Sequence, residues 1–396
     1  MENHTDFPCG ACSNEQYCSV ATARRLLVDP AKSGVYHCVS RCVRRAFLCG
    51  QDSYSGRNFE HRRAWVRDRL RELTGLFSIE VQAYAVLSNH LHLVVRTAPE
   101  RVRGWTDEVV ARRWMVLFPG KRGKVGEVPS ESGVKALCKD SRRLECIRNR
   151  LADLSWFMRC LNESIARRAN HEDDCTGRFW EGRFKCQKLD DEGAALACMA
   201  YVDLNPVRAG IAPTPEESDF TSAQDRVAAC RARRQLACAP RNPTPAQAHA
   251  IARAKIESRR DAWLAPIGTS AVSGVRFPSG ALGFVPRWSS GPTVQSSRAP
   301  DSPSPLLGSL SLEKYLELLD WTGRQIRSDK AGHLSHHLRP TLERLDLAVE
   351  AWVENVESYG GLFCHMAGKL QRLREAARAT GRAWLRGHRG ARRLYA

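Results

Sequence analysis

No apolar run in these 396 residues approaches the ~20 that a membrane-spanning helix needs; the best local stretch, Leu91 to Val95, is far too short. The opening Met-Glu-Asn-His-Thr-Asp lacks the basic-then-apolar plan of a secretory signal. Membrane and secreted classes are therefore disfavoured, and a cytoplasmic protein is expected. No internal repeat is visible, which argues against solenoid and propeller folds. Acidic residues are in deficit, with 43 Asp and Glu against 61 Lys and Arg, a formal net charge of +18. Such a surplus concentrates polyanions at the surface, and nucleic acid is the commonest of them. The plainer alternative is a solubilising surface or an Arg-rich coding bias.

Cysteine is plentiful but does not form a disulfide framework. Fifteen is an odd number, and in a long chain without an export signal scattered cysteines are mostly small buried side chains. Cys9, Cys12 and Cys18, with His4 nearby, form one cluster. A structural zinc site wants four ligands, often from a second close pair. None follows, although Cys38 and Cys42 are conceivable partners, so zinc on Cys9, Cys12 and Cys18 is not expected. Val20 opens a fluent stretch, and residues 1–20 read as a Cys-containing extension whose first 19 residues are of uncertain translation.

The rest divides by composition. Residues 21–230 read as one α+β domain with a basic insert near 97–140. Gly34 to Cys42 alternates as a strand, Phe59 to Phe77 carries helical spacing, and Ser78–Leu87 and His90–Arg96 read as strands about a Ser88-Asn89 turn. Residues 231–263 continue as a helical extension. Residues 264–308, rich in Ser, Pro and Gly, read as a disordered linker. Residues 309–396 read as a basic helical C-terminal region, and from Met366 to Ala396 nine Lys and Arg face the single Glu375. That imbalance reads as an arm that follows phosphates, and its removal is expected to flatten the salt dependence of DNA binding.

Chemistry concentrates in Asn89-His90-Leu91-His92-Leu93. Residues two apart on a strand share a face, so His90 and His92 project together while Leu91, Leu93 and Val95 face a core. Paired imidazoles on a rigid strand are two legs of a divalent-metal site, or simply two partly exposed histidines. Around this His-hydrophobe-His motif stand Tyr36-His37-Cys38-Val39-Ser40-Arg41 with Arg44 and Arg45. Further on come Gly177-Arg178-Phe179-Trp180-Glu181-Gly182-Arg183-Phe184-Lys185 and Tyr201-Val202-Asp203-Leu204-Asn205-Pro206-Val207-Arg208.

In this order these motifs resemble the REP-associated tyrosine transposases, a branch of the single-tyrosine HUH transposases, over roughly residues 21–230. The resemblance implies a ferredoxin-like antiparallel sheet with helices on one side, and Mg²⁺ or Mn²⁺ on His90 and His92. It also implies single-stranded or hairpin DNA as partner, a nucleoid-associated location, and a monomer or homodimer. In such enzymes the metal polarises a scissile phosphate, and a helix tyrosine attacks to leave a covalent phosphotyrosine. Here the corresponding helix, Leu154 to Asn170, contains no tyrosine. Ser164 or Ile165 stands at the aligned place, and Tyr201, on the next helical segment, is the nearest substitute nucleophile. Asn170, or else Glu163, is the candidate third metal ligand.

For DNA contacts the segment 178–185 offers Arg178, Arg183 and Lys185 for phosphates and Phe179 and Trp180 for stacking on unpaired bases. A packed aromatic turn is the competing reading. Arg41, Arg44, Arg45 and Arg208 are further phosphate candidates. Two functions stand against each other: a transposase-like nuclease acting on hairpin repeats, and a catalytically inactive, domesticated DNA-binding protein on the same scaffold. RNA binding is a third, since charge and aromatic platforms suit it as well.

Overall fold

Alternation builds the sheet, but not in the half-polar form. In β1 (Gly34–Arg41), Tyr36 and Cys38 point to one side, His37 and Val39 to the other, and both sets are buried. A computed structural model of the chain describes residues 24–43, 48–52, 56–119, 128–268, 310–326, 347 and 351–395. Cys9, Cys12, Cys18, Arg44, Arg45 and most of the expected linker lie outside them.

Helix α1 (His61–Leu76) leads into β2 (Ile79–Val86), which turns at Ser88-Asn89 into β3 (His90–Thr97). The insert then folds as α2 (Pro99–Arg103), α3 (Asp107–Leu117) and α4 (Glu131–Cys138). After these come α5 (Ser141–Ala152), α6 (Leu154–Glu172), β4 (Lys185–Leu189) and α7 (Glu192–Asp203). A four-residue turn of helix, α8 (Asn205–Arg208), precedes α9 (Ser222–Ala237) and α10 (Pro245–Glu257). The C-terminal region supplies α11 (Leu312–Ile326), α12 (Trp352–Leu362), β5 (Met366–Ala367), α13 (Leu370–Ala379) and α14 (His388–Leu394).

The strands form one sheet in the order β2-β3-β1-β4-β5, antiparallel except for the short β4–β5 pair. Every residue of β2 is buried, and so is all of β3 but Arg96. That pattern belongs to a sheet covered on both faces. On the first face Tyr36, Cys38, Leu91, Leu93 and Val95 pack with Leu70 and Leu73 of α1 and with Phe157, Leu161 and Ile165 of α6. The insert adds Val110, Val116 and Leu137 to the same core. On the second face Ala83, Ala85, Val94 and Leu189 meet α7 together with Leu318, Trp352, Tyr359, Met366, Leu373 and Leu394.

Three expectations are thereby corrected. Helices cover both sides of the sheet, because His37, His90 and His92 share their face with Ala83, Ala85 and Val94, whose apolar surface needs a cover. The C-terminal region supplies much of it. Residues 366–395 are not a free arm given over to phosphates, since β5 pairs with β4 and Leu373, Ala377, Ala391 and Leu394 are core residues. The start of the supposed linker also belongs to the fold: Leu264, Ala265 and Ile267 are buried, and the Ala265 amide donates to the Val81 carbonyl at 2.8 Å.

Small residues make this second layer possible. Helix α7 carries Ala194, Ala195, Ala197 and Ala200, all fully buried, so its backbone approaches the sheet closely. Asp191 caps it by accepting from the Ala194 amide at 2.8 Å. Pro206 has no N–H to extend the α7 ladder, so the chain breaks into α8 there and swings Asn205 toward the sheet.

Candidate nucleic-acid interface around the histidine strand

The second face gathers residues from three separated motifs. Register pairs Arg41 with His90 and Val39 with His92, and across β1 it pairs His37 with Gln187 and Val39 with Lys185. His90 is 6% exposed and His92 not at all. Their rings meet edge-on at 4.7 Å, and His37 stacks on His92 at 5.2 Å. From α7, Tyr201 sets its ring edgewise to both His37 and His92, at 6.0 and 5.6 Å. The Arg208 guanidinium lies over the Tyr201 ring at 4.7 Å and donates to the Glu357 carbonyl of α12.

Hydrogen bonds occupy the key ring. His92 Nε2 lies 3.3 Å from Asn205 Nδ2, and His92 Nδ1 lies 2.9 Å from His37 Nε2. With the Asn205 amide nitrogen as donor, His92 Nε2 accepts and its Nδ1–H donates to His37. Burial, reinforced by His90, His37 and Arg208, holds the His92 pKa well below the ordinary imidazole value, so the ring is neutral. His90 Nδ1 is 2.6 Å from Asn89 Oδ1, the acceptor in this pair.

A divalent cation on His90 and His92 needs a lone pair from each ring aimed at one centre, with further donors completing the shell. Both His92 nitrogens are committed inside the fold. Among the described residues no group of three or more His, Cys, Asp or Glu side chains is placed to hold a metal ion. Asn170, the expected third ligand, donates instead to the Gly177 carbonyl at 3.0 Å from the far end of α6. The residues as arranged do not fit Mg²⁺ or Mn²⁺.

The expected nucleophiles are placed unequally. Ile165 is buried in the first-face core, and Ser164 sits half-buried beside it on α6. That helix packs on the Leu91 and Leu93 side of the sheet, whereas the histidines project from the other, so Ser164 is not brought to the pair. Tyr201 is brought to it, but is 1% exposed and enclosed by His37, His92, Arg208 and Tyr359.

Around the end of β1 the cations are exposed. The Val43 amide donates to the Phe179 carbonyl at 3.0 Å and the Glu181 amide to the Arg41 carbonyl at 2.9 Å, which ties segment 178–185 to that strand end. Arg178, Arg183 and Lys185 face solvent there, while Arg41 is half-buried with Glu181 at 3.7 Å. The aromatics are corrected. Phe179 is a first-face core residue, and Trp180 is half-buried with its N–H donating to the Asn162 carbonyl at 2.8 Å. The Phe179 ring is therefore spent on packing and is not a stacking platform.

Sequence reasoning missed Asn205 as a partner of His92, and it missed the His37–His92 contact. The signal for the second was the phase of β1, which places His37 on the Val39 face. The pairing register that sets it beside His92 is not written in either strand alone.

No protein-family model and no curated protein matches this chain. A solved structure of a REP-associated tyrosine transposase bound to a REP hairpin is similar over 53% of this chain and 86% of that one, at 14% identity and a TM-score of 0.31.

Proposed function

We propose that this chain is a transposase-like DNA-binding protein that holds single-stranded or hairpin DNA without cutting it. The observation that carries the reading is the state of His92. The motif residues that would form a strand-transfer site converge there, yet they satisfy one another and are sealed beneath α7 and α12. The polar functions of the Asp203–Arg208 motif are internal as well. Asp203 clamps helices, Asn205 serves His92, and Arg208 covers Tyr201. What remains outward is charge: Arg178, Arg183 and Lys185 at the strand end, and, among the described residues from 366 onward, the seven exposed cations Lys369, Arg372, Arg374, Arg378, Arg386, Arg389 and Arg392. Phosphate contacts of this kind give affinity and salt dependence while carrying little base information.

Cleavage through Tyr201 is the second reading, and its support is the 5.6 Å contact of that ring with His92. The binding reading is tested by fluorescence anisotropy on a labelled DNA hairpin with a single-stranded flank, its duplex counterpart, and RNA of the same sequence, each in EDTA and across a salt series. Expected are binding that survives chelation, preference for the DNA hairpin, and a linear fall of log affinity with log salt. Replacing Arg178, Arg183 and Lys185 by Gln should flatten that slope by about 2 on the basis of ~0.7 per lost contact. Tighter binding of the RNA, or no binding to any of the three, overturns the proposal.

A further inference from the structure

Beyond the histidine face, the C-terminal region holds a second feature with the chemistry of a nucleotide site. A cavity of about 490 Å³ opens between α12 and α14, lined by Leu362, Trp384, Arg386, His388, Arg389 and Arg393 among others. Trp384 is 64% exposed, an unusual expense of apolar ring surface in water. Arg386 and Arg389 are exposed beside it, and neither forms an ion pair among the described residues. Arg393 is drawn aside by Glu354 of α12.

Two further observations show a built wall rather than a chance dent. Gly387 has φ +134°, a conformation that L side chains rarely adopt, and a Cβ there would lie 3.2 Å from Phe363 Cδ1. Only glycine lets the segment double back and present Arg386 and His388 from adjoining positions. Inside the wall, His388 Nε2 is buried without a hydrogen-bond partner.

An exposed indole flanked by guanidinium groups that form no ion pair among the described residues matches an unpaired base with its phosphates, since a base offers a π-face to the ring and its backbone offers charge to arginine. We infer that this cavity takes one unpaired nucleotide of single-stranded DNA, with the base stacked on Trp384 and the adjoining phosphates on Arg386 and Arg389. The site rests on the DNA-binding reading above and deepens it by naming where unpaired bases are held. Phe179 is buried and Trp180 is half-buried with its N–H engaged, so this cavity offers a more open stacking surface than segment 178–185 does. A ladder of rings runs from the histidine face toward the Gly387 wall: Tyr201 meets Tyr359 at 5.6 Å, and Tyr359 meets Phe363 at 5.4 Å.

The test uses the full chain and two oligonucleotides of equal length, oligo-dT and an abasic deoxyribose-phosphate strand. Trp384→Ala should weaken oligo-dT binding roughly 5- to 150-fold, the range for loss of one stacked base, and leave abasic binding unchanged. Trp384→Tyr should restore most of the loss. Arg386→Gln with Arg389→Gln should weaken both strands and lower the salt slope by about 1.4. Unaltered melting temperatures confirm that these surface changes leave the fold intact. If wild type binds oligo-dT and Trp384→Ala binds it equally well, the cavity assignment falls and the DNA-binding reading stands. If Trp384→Ala weakens both strands alike, stacking is refuted. If wild type binds neither strand, the underlying reading fails.

Discussion

Replacing Asp203 by Ala should lower the stability of this protein by about 3 kcal/mol or more, because three buried donors lose their acceptor at once. The Asp203 carboxylate receives the Ser222 hydroxyl, the Ala223 amide at 2.9 Å and the Tyr315 hydroxyl at 2.6 Å, all fully buried. These come from α9 and α11, so one side chain at the end of α7 fastens three helices. Left without it, each donor bears a desolvation cost of about 1–3 kcal/mol. A fall in melting temperature on the order of 10 °C is expected by calorimetry. Asp203→Asn should cost much less: its Oδ1 still accepts from Ser222 and Ala223, and the Tyr315 hydroxyl can turn to accept from Nδ2.

The same pair of variants carries a pH signature. Burial raises the Asp203 carboxyl above its ordinary pKa, against the lowering influence of Arg226 and its hydrogen-bond donors. The native state therefore holds this proton more tightly than the unfolded chain does. Its contribution is full below the ordinary value of 3.8 and is lost as pH rises through the raised one. Asn has no such titration. The deficit of Asp203→Asn relative to wild type should thus be largest in acid and shrink toward neutrality, measured by urea unfolding across the range. A deficit that grows as pH rises would show that the carboxyl is lowered, not raised.

Asp203 also shows what the sequence could and could not reveal. Strand phases and helical spacing on the first face were legible, because Tyr36, Cys38, Leu91, Leu93, Leu70 and Leu73 each repeat at the period of their own element. His90 and His92 were placed correctly on one face by the same rule. What covers that face was not legible. α12, β5 and the helices after them begin 149 or more residues beyond the end of α7, and nothing local in a basic amphipathic segment says that its apolar stripe meets β4. The charge of residues 366–396 therefore read as an arm that follows phosphates, while Leu373, Ala377 and Leu394 are seated in the core. The same limit hid Asn205. Its role depends on where α7 ends over β3, a long-range contact of 113 positions.

Incubated with single-stranded hairpin DNA and Mn²⁺, the wild-type chain should yield no covalent protein–DNA adduct on a denaturing gel, and Tyr201→Phe should behave identically. Attack on phosphorus needs an oxygen that reaches a phosphate with room for in-line displacement. The Tyr201 ring is enclosed on several sides, and a DNA backbone cannot approach it without displacing α12. Nor should a tyrosine grafted onto α6 give the reaction, although Ser164 and Ile165 stand where the sequence resemblance leads one to expect it. At Ile165 a phenol would enter a filled core among residues of the Leu91 face and cost about 1–3 kcal/mol by overpacking. At Ser164 it would lie across the sheet from the histidines. Two results would reverse the assignment. An adduct formed by wild type and lost in Tyr201→Phe would show that α12 opens to expose a relocated nucleophile. An adduct gained by Ile165→Tyr and abolished by adding His90→Ala would show that α6 reaches the histidine pair after all.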